Sequence, residues 1–143
     1  MMKLLVIDAF TDHLFAGNPA AVCLLEGEKD KAWMQSVAAE MNLSETAFVR
    51  KLEKDFELRW FTPAMEVDLC GHATLAAAHA LWSENPAESA EPIRFHTRSG
   101  LLTCCQQGGR IELDFPATFA EEAAAPSGLL EALGVAATFI VHS

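Results

Sequence analysis

Residues 66–82 read Glu-Val-Asp-Leu-Cys-Gly-His-Ala-Thr-Leu-Ala-Ala-Ala-His-Ala-Leu-Trp, and they indicate more about the fold than any other part of the chain. After Gly71, apolar residues fall on every side of a helix: Ala73, Leu75, Ala76, Ala77, Ala78, Ala80, Leu81 and Trp82. A surface helix carries one apolar stripe, whereas a helix that is apolar all round is buried on all sides. The sequence therefore predicts that a helix over 72–84 is the most buried element, with the other elements wrapped around it.

The start of this helix is polar or made of small residues. Asp68, Cys70, Gly71, His72 and Thr74 all lie there. The first N–H groups of a helix have no partner within the helix, and the positive end of the helix dipole adds to their attraction for anions. The sequence therefore predicts an anion site at this end, suited to a substrate carboxylate.

Other periodic segments indicate an α+β domain of mostly antiparallel strands. Strands are predicted over 3–9, 20–25, 46–52, 55–61, 92–97, 100–106, 110–115 and 137–141, and further helices over 30–41 and 126–133. The connections at 53–54 and 107–109 are short enough for hairpins. Residues 116–127 are interpreted as a surface linker. The strand at 137–143 stops without a terminal helix, which is expected of a domain boundary inside a longer protein.

Composition restricts the kind of partner. The chain has 143 residues, a length typical of one domain, and a formal charge of −10 with scattered Lys and Arg. We therefore expect no binding to nucleic acid or to an anionic membrane surface. No run approaches the ~20 apolar residues of a membrane span. Asp8 interrupts the opening apolar run too early for a signal peptide.

The cysteines and histidines indicate neither disulfides nor a metal site. The four cysteines, none in a Cys-x-x-Cys pair, are Cys23, Cys70, Cys104 and Cys105. Without a disulfide framework, the expected location is cytoplasmic. His72 and His79 are seven residues apart with no third ligand at metal-binding spacing, so no metal is predicted.

Five motifs in register resemble one family. They are Phe15-Ala-Gly-Asn-Pro-Ala-Ala-Val22, Asn42-Leu-Ser-Glu-Thr-Ala-Phe48, Leu58-Arg-Trp-Phe-Thr-Pro63, Glu66-Val-Asp-Leu-Cys-Gly-His-Ala-Thr74 and Phe95-His-Thr-Arg-Ser-Gly-Leu101. Together they closely resemble the phenazine biosynthesis-like isomerases and epimerases, which are related in fold to diaminopimelate epimerase and proline racemase. The resemblance runs from residue 3 to about residue 116.

The resemblance implies a fold of two similar lobes with the active site between them. Each lobe is a mixed, mostly antiparallel sheet curled around a central helix, and the site lies at the N-terminal ends of the two helices. Family members are about twice as long as this chain. Residues 1–143 therefore match the first, N-terminal lobe, and the second lobe is absent from the sequence.

The resemblance also implies a chemistry. Glu45 corresponds to the family's general acid/base, which moves a proton between positions of a small carboxylate metabolite. No cofactor is needed where the substrate itself delocalises the charge. Gly71, His72 and Thr74 are expected to bind the substrate. Asn18 is either a substrate ligand or a turn residue before Pro19, and Ser44 either donates to the substrate carboxylate or caps locally.

Two alternatives stay open from sequence. In the related epimerases and racemases a Cys before this helix moves the α-proton, so Cys70 is a possible acid/base, favoured as a thiolate by the helix N-terminus. Alternatively, the chain is a catalytically silent half that binds a ligand or partner. Because only one lobe is present, we expect either a homodimer or association with the missing lobe.

Overall fold

The computed structural model describes residues 2–86, 91–117 and 119–142, which form three helices and ten strands. The helices are α1 (Lys31–Met41), α2 (Gly71–Glu84) and α3 (Leu129–Leu133). The strands are β1 (Lys3–Ala9), β2 (Asn18–Leu25), β3 (Thr46–Lys51), β4 (Phe56–Phe61), β5 (Glu66–Val67), β6 (Ile93–Thr97), β7 (Gly100–Gln107), β8 (Arg110–Asp114), β9 (Glu121–Glu122) and β10 (Val141–His142). No helix in these ranges is both long and apolar enough to cross a membrane.

One mixed sheet dominates the fold. Its strand order is β1-β2-β3-β4-β6-β7-β8, with β5 paired to β4. The β2–β3 and β4–β6 pairs are parallel, and the other pairs are antiparallel. In each parallel pair the connection carries a helix, α1 in the first and α2 in the second. The predicted α+β class, with a mostly antiparallel mixed sheet, is confirmed.

The sheet curls around α2, which contacts β1, β2, β3 and β8. Five alanines of α2 are at most 1% exposed, and they pack against large side chains of the sheet, among them Trp60, Phe95 and Leu102. The alanine side chains are short, so the sheet approaches the helix axis closely. The prediction of a central buried helix is confirmed.

Burial of α2 is incomplete along one stripe. Leu75 is half-buried and His79 is exposed. Both line a groove of about 890 Å³ between β1 and β8. Within the described residues these two strands do not pair with each other, so the sheet is a half-barrel with an open seam.

Helix α1 packs on the opposite face of the sheet, as its apolar face predicts. Met34 and Ala38 are buried against Phe48 and Phe61. The helix begins after Asp30, whose side chain accepts a hydrogen bond of 2.8 Å from the Trp33 amide. This bond occupies one of the amides that a helix start leaves free.

Strand β5 was not predicted, because its Glu66 is a polar residue that becomes buried only in the folded chain. The Glu66 carboxylate accepts a hydrogen bond of 2.7 Å from Nε of Arg59 and lies 3.2 Å from Nζ of Lys31. The bond from Arg59 and the charge of Lys31 hold the pKa of Glu66 below its usual value. Ion pairing therefore compensates this burial.

The region after β8 differs from the prediction. The strand expected over 137–141 is wrong: residues 137–140 are not strand, and β10 covers only Val141–His142. Part of the expected linker at 116–127 is strand β9, which pairs with β10. Helix α3 is shorter than the predicted 126–133. These segments are largely exposed, so packing against the core does not extend them.

The substitution Ala77→Glu should be severely destabilising, since Ala77 is fully buried and a charge there has no partner. We expect a loss of at least about 3 kcal/mol in the free energy of unfolding, measured by urea denaturation. The exposed His79 on the same helix provides the matched control. His79→Glu should change stability far less, and equal losses would contradict the packing of α2.

Candidate active site

The candidate site forms where the segment before β3 meets the start of α2. Ser44 and Glu45 immediately precede β3, and the Glu45 carbonyl accepts a hydrogen bond of 3.3 Å from the Ala21 amide of β2. Cys70 is the residue that precedes α2, and His72 lies in its first turn. The fold thus brings together two sequence segments that are almost thirty residues apart.

The His72 ring lies between the other polar groups of the site. Its Nε2 is 3.3 Å from Oγ of Ser44 and 3.4 Å from Oε2 of Glu45. Its Nδ1 is 3.4 Å from Sγ of Cys70. The side chains of His72 and Glu45 are 10% and 21% exposed, so both are largely shielded but accessible to a small ligand.

The Cys70 thiol stays protonated at neutral pH. Burial raises its pKa to about 11, and the nearby Glu45 carboxylate adds to the rise. The backbone N–H groups of Ala73 and His72 act in the opposite direction without cancelling it. Because the thiolate is the reactive form of cysteine, this environment disfavours Cys70 as a base.

The N-terminal end of α2 is built differently from that of α1. The N-cap residue Cys70 makes no side-chain capping hydrogen bond, unlike Asp30 before α1. Gly71 faces the Phe115 ring, and a Cβ at this glycine would lie 3.2 Å from Cε2 of Phe115. Sequence reasoning missed Phe115, whose signal was an aromatic residue directly after β8. The first amides of α2 therefore lie beside an apolar wall.

In the part of the chain that the structure describes, the other two predicted binding residues, Asn18 and Thr74, do not have side chains hydrogen-bonded to those of Glu45, Cys70 or His72. Asn18 is the first residue of β2 and lies at the same sheet edge as Glu45, because β2 and β3 are parallel. Among the described residues it forms no hydrogen bond with Glu45, Cys70 or His72. Thr74 is fully buried and donates its hydroxyl to the Cys70 carbonyl, so this side chain is engaged within its own helix.

The same donors raise the question of a metal ion. Ligand-type atoms of Glu45, Cys70 and His72 all lie within 4.8 Å of one another. The imidazole, however, presents Nδ1 to the thiol and Nε2 to the carboxylate. A single ion bound to one ring nitrogen does not satisfy this bridging arrangement, whereas hydrogen bonds on both nitrogens do.

The site lies at an open edge of the lobe. Glu45, Cys70 and His72 are not among the residues that line the groove between β1 and β8. Apolar side chains at this edge are exposed, with Leu14 and Phe15 of the β1–β2 loop 85% and 94% accessible. The candidate site is therefore separate from this groove and lies at the end of the sheet where β2 and β3 begin.

Comparison with known proteins agrees with this architecture. An uncharacterized isomerase of Halalkalibacterium halodurans is 52% identical over 136 residues, covering 94% of this chain and 51% of that protein. A crystal structure of a phenazine biosynthesis protein of the PhzF family from Enterococcus faecalis has a TM-score of 0.84 and 40% identity, covering 95% of this chain and 52% of that one. A predicted epimerase from Pseudomonas aeruginosa has a TM-score of 0.71 and 25% identity, covering 90% and 47%.

A mixed sheet curled around a central helix, with its polar site at the helix start, defines an α+β protein of epimerase-like fold. The sequence profile described as phenazine biosynthesis-like protein matches residues 7–137. The chain belongs to this family. It spans about half the length of the curated relatives it matches.

Small carboxylates should bind at the start of α2, because its amides lack a side-chain cap. Titration with acetate, followed by amide NMR, should shift the signals of Gly71 and His72. The start of α1 is an internal control, because the Asp30 side chain already accepts a hydrogen bond from the Trp33 amide. The NMR signal of Trp33 should therefore stay in place. Equal responses at both helix starts would contradict a specific site.

Proposed function

We propose that this chain provides one half of a cofactor-independent isomerase or epimerase site for small carboxylate metabolites. The observation that carries the proposal is the convergence of Glu45, His72 and the uncapped start of α2 at one sheet edge. A carboxylate for proton transfer thus lies beside amides suited to an anionic substrate.

The arrangement supports a simple proton transfer. Gly71 and His72 amides hold the substrate carboxylate, and the Glu45 carboxylate removes a proton from carbon. The electron pair of the broken C–H bond delocalises into the substrate. Glu45 then returns the proton to another carbon on the same face, so that atoms and electrons balance without a redox partner. Inversion at the same carbon requires a second proton donor on the opposite face, supplied by the other half of the site.

The similarities support the same class of reaction. A relative that is 52% identical is named as an isomerase, and a structural neighbour is named as a predicted epimerase. The four cysteines are free in the part of the chain that the structure describes. This is compatible with the cytoplasmic location we propose.

The two other functions have weaker support. A thiol mechanism through Cys70 requires a thiolate, and burial raises the pKa of this thiol to about 11. A catalytically silent half that only binds a ligand or partner is the second candidate, favoured by the exposed apolar edge beside the site.

Activity should depend on Glu45 much more than on Cys70. Glu45→Gln keeps the shape but removes the titratable proton, so turnover should fall at least ~100-fold. Cys70→Ser should be much milder. Deuterium incorporation from D2O into a panel of small carboxylates, followed by NMR, measures the proton transfer directly. An inactive Ser variant beside an active Gln variant would establish the thiol mechanism instead.

We also propose that the chain forms a symmetric homodimer when the second lobe is absent. The exposed Leu14 and Phe15 lie at the site edge, and such apolar surface is typical of an interface. A two-fold dimer uses the same surface twice and brings two copies of Glu45 towards one cavity. In a longer polypeptide the missing lobe would occupy this face.

Sedimentation velocity over a concentration series should show self-association of the chain. The double substitution Leu14→Ser with Phe15→Ser should weaken it, because both side chains are exposed and their loss costs little internal packing. The exposed Leu101 on β7 offers a control, and Leu101→Ser should leave association unchanged. A monomer at high concentration would reject the dimer.

A further inference from the structure

The contacts of the two His72 ring nitrogens differ, and this difference bears on which nitrogen carries the proton. On one side, Nε2 faces two oxygens, Oγ of Ser44 at 3.3 Å and Oε2 of Glu45 at 3.4 Å. On the other side, Nδ1 faces only Sγ of Cys70 among these groups, at 3.4 Å. An ionised carboxylate only accepts hydrogen bonds, and a thiol is a donor when protonated.

The two neutral tautomers differ sharply in this environment. With the proton on Nε2, the ring donates towards Glu45 and Ser44 and accepts the thiol proton at Nδ1. With the proton on Nδ1, the ring N–H meets a weak sulfur acceptor, and the Nε2 lone pair faces the negative carboxylate. The first arrangement satisfies every contact. In the second, the Ser44 hydroxyl can still donate to Nε2, but the Nε2 lone pair opposes the Glu45 carboxylate.

We infer that Cys70 is a positioning residue whose thiol donates to Nδ1 of His72 and so fixes this histidine as the Nε2–H tautomer facing Glu45. The inference deepens the proposed function and rests on it for its consequence in catalysis. It gives the cysteine a role distinct from that of a proton-transferring thiol.

This role fits the placement of Cys70 in the fold. The residue is 8% exposed and precedes α2 in extended conformation, so the helix start holds its sulfur beside the imidazole. Burial and the nearby Glu45 carboxylate, which is also within hydrogen-bonding reach of the thiol, keep the thiol protonated and therefore able to donate. In many sites the hydrogen bond made by one histidine nitrogen determines whether the other nitrogen carries the proton.

The consequence for the reaction is a division of roles. With Nδ1 engaged by the thiol and Nε2 protonated, His72 donates hydrogen bonds and has no free lone pair to take the substrate proton. Its N–H holds the Glu45 carboxylate or the bound substrate in place. Proton abstraction is then left to Glu45.

Long-range 1H–15N NMR of the histidine side chains tests this tautomer without any substrate. The spectra use the whole 143-residue chain with 15N-labelled histidine, and His72→Gln identifies the His72 signals. We expect the Nε2–H pattern in the unsubstituted chain at neutral pH. A dominant Nδ1–H pattern would overturn the inference, independently of the results with the Cys70 variants.

Variants of Cys70 test whether its thiol is what favours the Nε2–H tautomer of His72. Cys70→Ala removes the donor and should yield a measurable Nδ1–H population, and Cys70→Ser should restore Nε2–H because its hydroxyl also donates. Cys105→Ala, at a half-buried cysteine of β7, should leave the His72 pattern unchanged. An unchanged pattern in a folded Cys70→Ala chain would refute the role of the thiol.

Activity measurements separate this inference from the proposed function. Cys70→Ala should lower the rate of deuterium incorporation roughly 10-fold, a loss typical of an orienting partner, and Cys70→Ser should recover most of it. If no carboxylate exchanges deuterium, the proposed function fails while the tautomer result still stands. If exchange is normal in Cys70→Ala, the positioning role fails while the function stands.

Discussion

Burial of α2 against the concave face of the sheet fixes where the other elements of the lobe can lie. The helix contributes mainly alanine to the core, and the sheet contributes large side chains, among them Trp60, Phe95 and Leu102. Each buried apolar group adds to stability in proportion to the area removed from water. The short helix side chains let one continuous sheet reach around it. The polar start of α2 is placed by this packing, because the helix axis cannot shift without disturbing the core.

The site follows from the direction of the strands. Parallel pairing of β2 with β3 brings their N-terminal ends to one edge, where the β1–β2 loop and Glu45 lie. The start of α2 opens at the same edge, so His72 meets Glu45 and Ser44. Rigid elements hold these groups from both sides, an arrangement that suits catalytic geometry. The exposed Leu14 and Phe15 of the β1–β2 loop leave this edge of the lobe apolar and open to solvent.

Hydrophobic periodicity predicted the long elements well, because β1 to β4, β6 to β8, α1 and α2 each carry their own apolar pattern. It missed β5, since the burial of Glu66 depends on Arg59 and Lys31 from other segments. It overextended the last strand, where β10 has only the short β9 as a partner. The motifs identified Glu45, Cys70 and His72 as candidates. They did not predict that the imidazole bridges the thiol and the carboxylate, because ring orientation depends on tertiary packing.

The open seam between β1 and β8 has a consequence for handling the protein. Unpaired strand edges are templates for edge-to-edge aggregation, and charged residues on an edge strand oppose it. Along β8 the exposed positions are Arg110, Glu112 and Asp114, alternating with half-buried Ile111 and Leu113. The formal charge of −10 adds general repulsion between molecules. Near the isoelectric point of about 4.8 that repulsion vanishes, so acidic buffers are the conditions under which this lobe should precipitate.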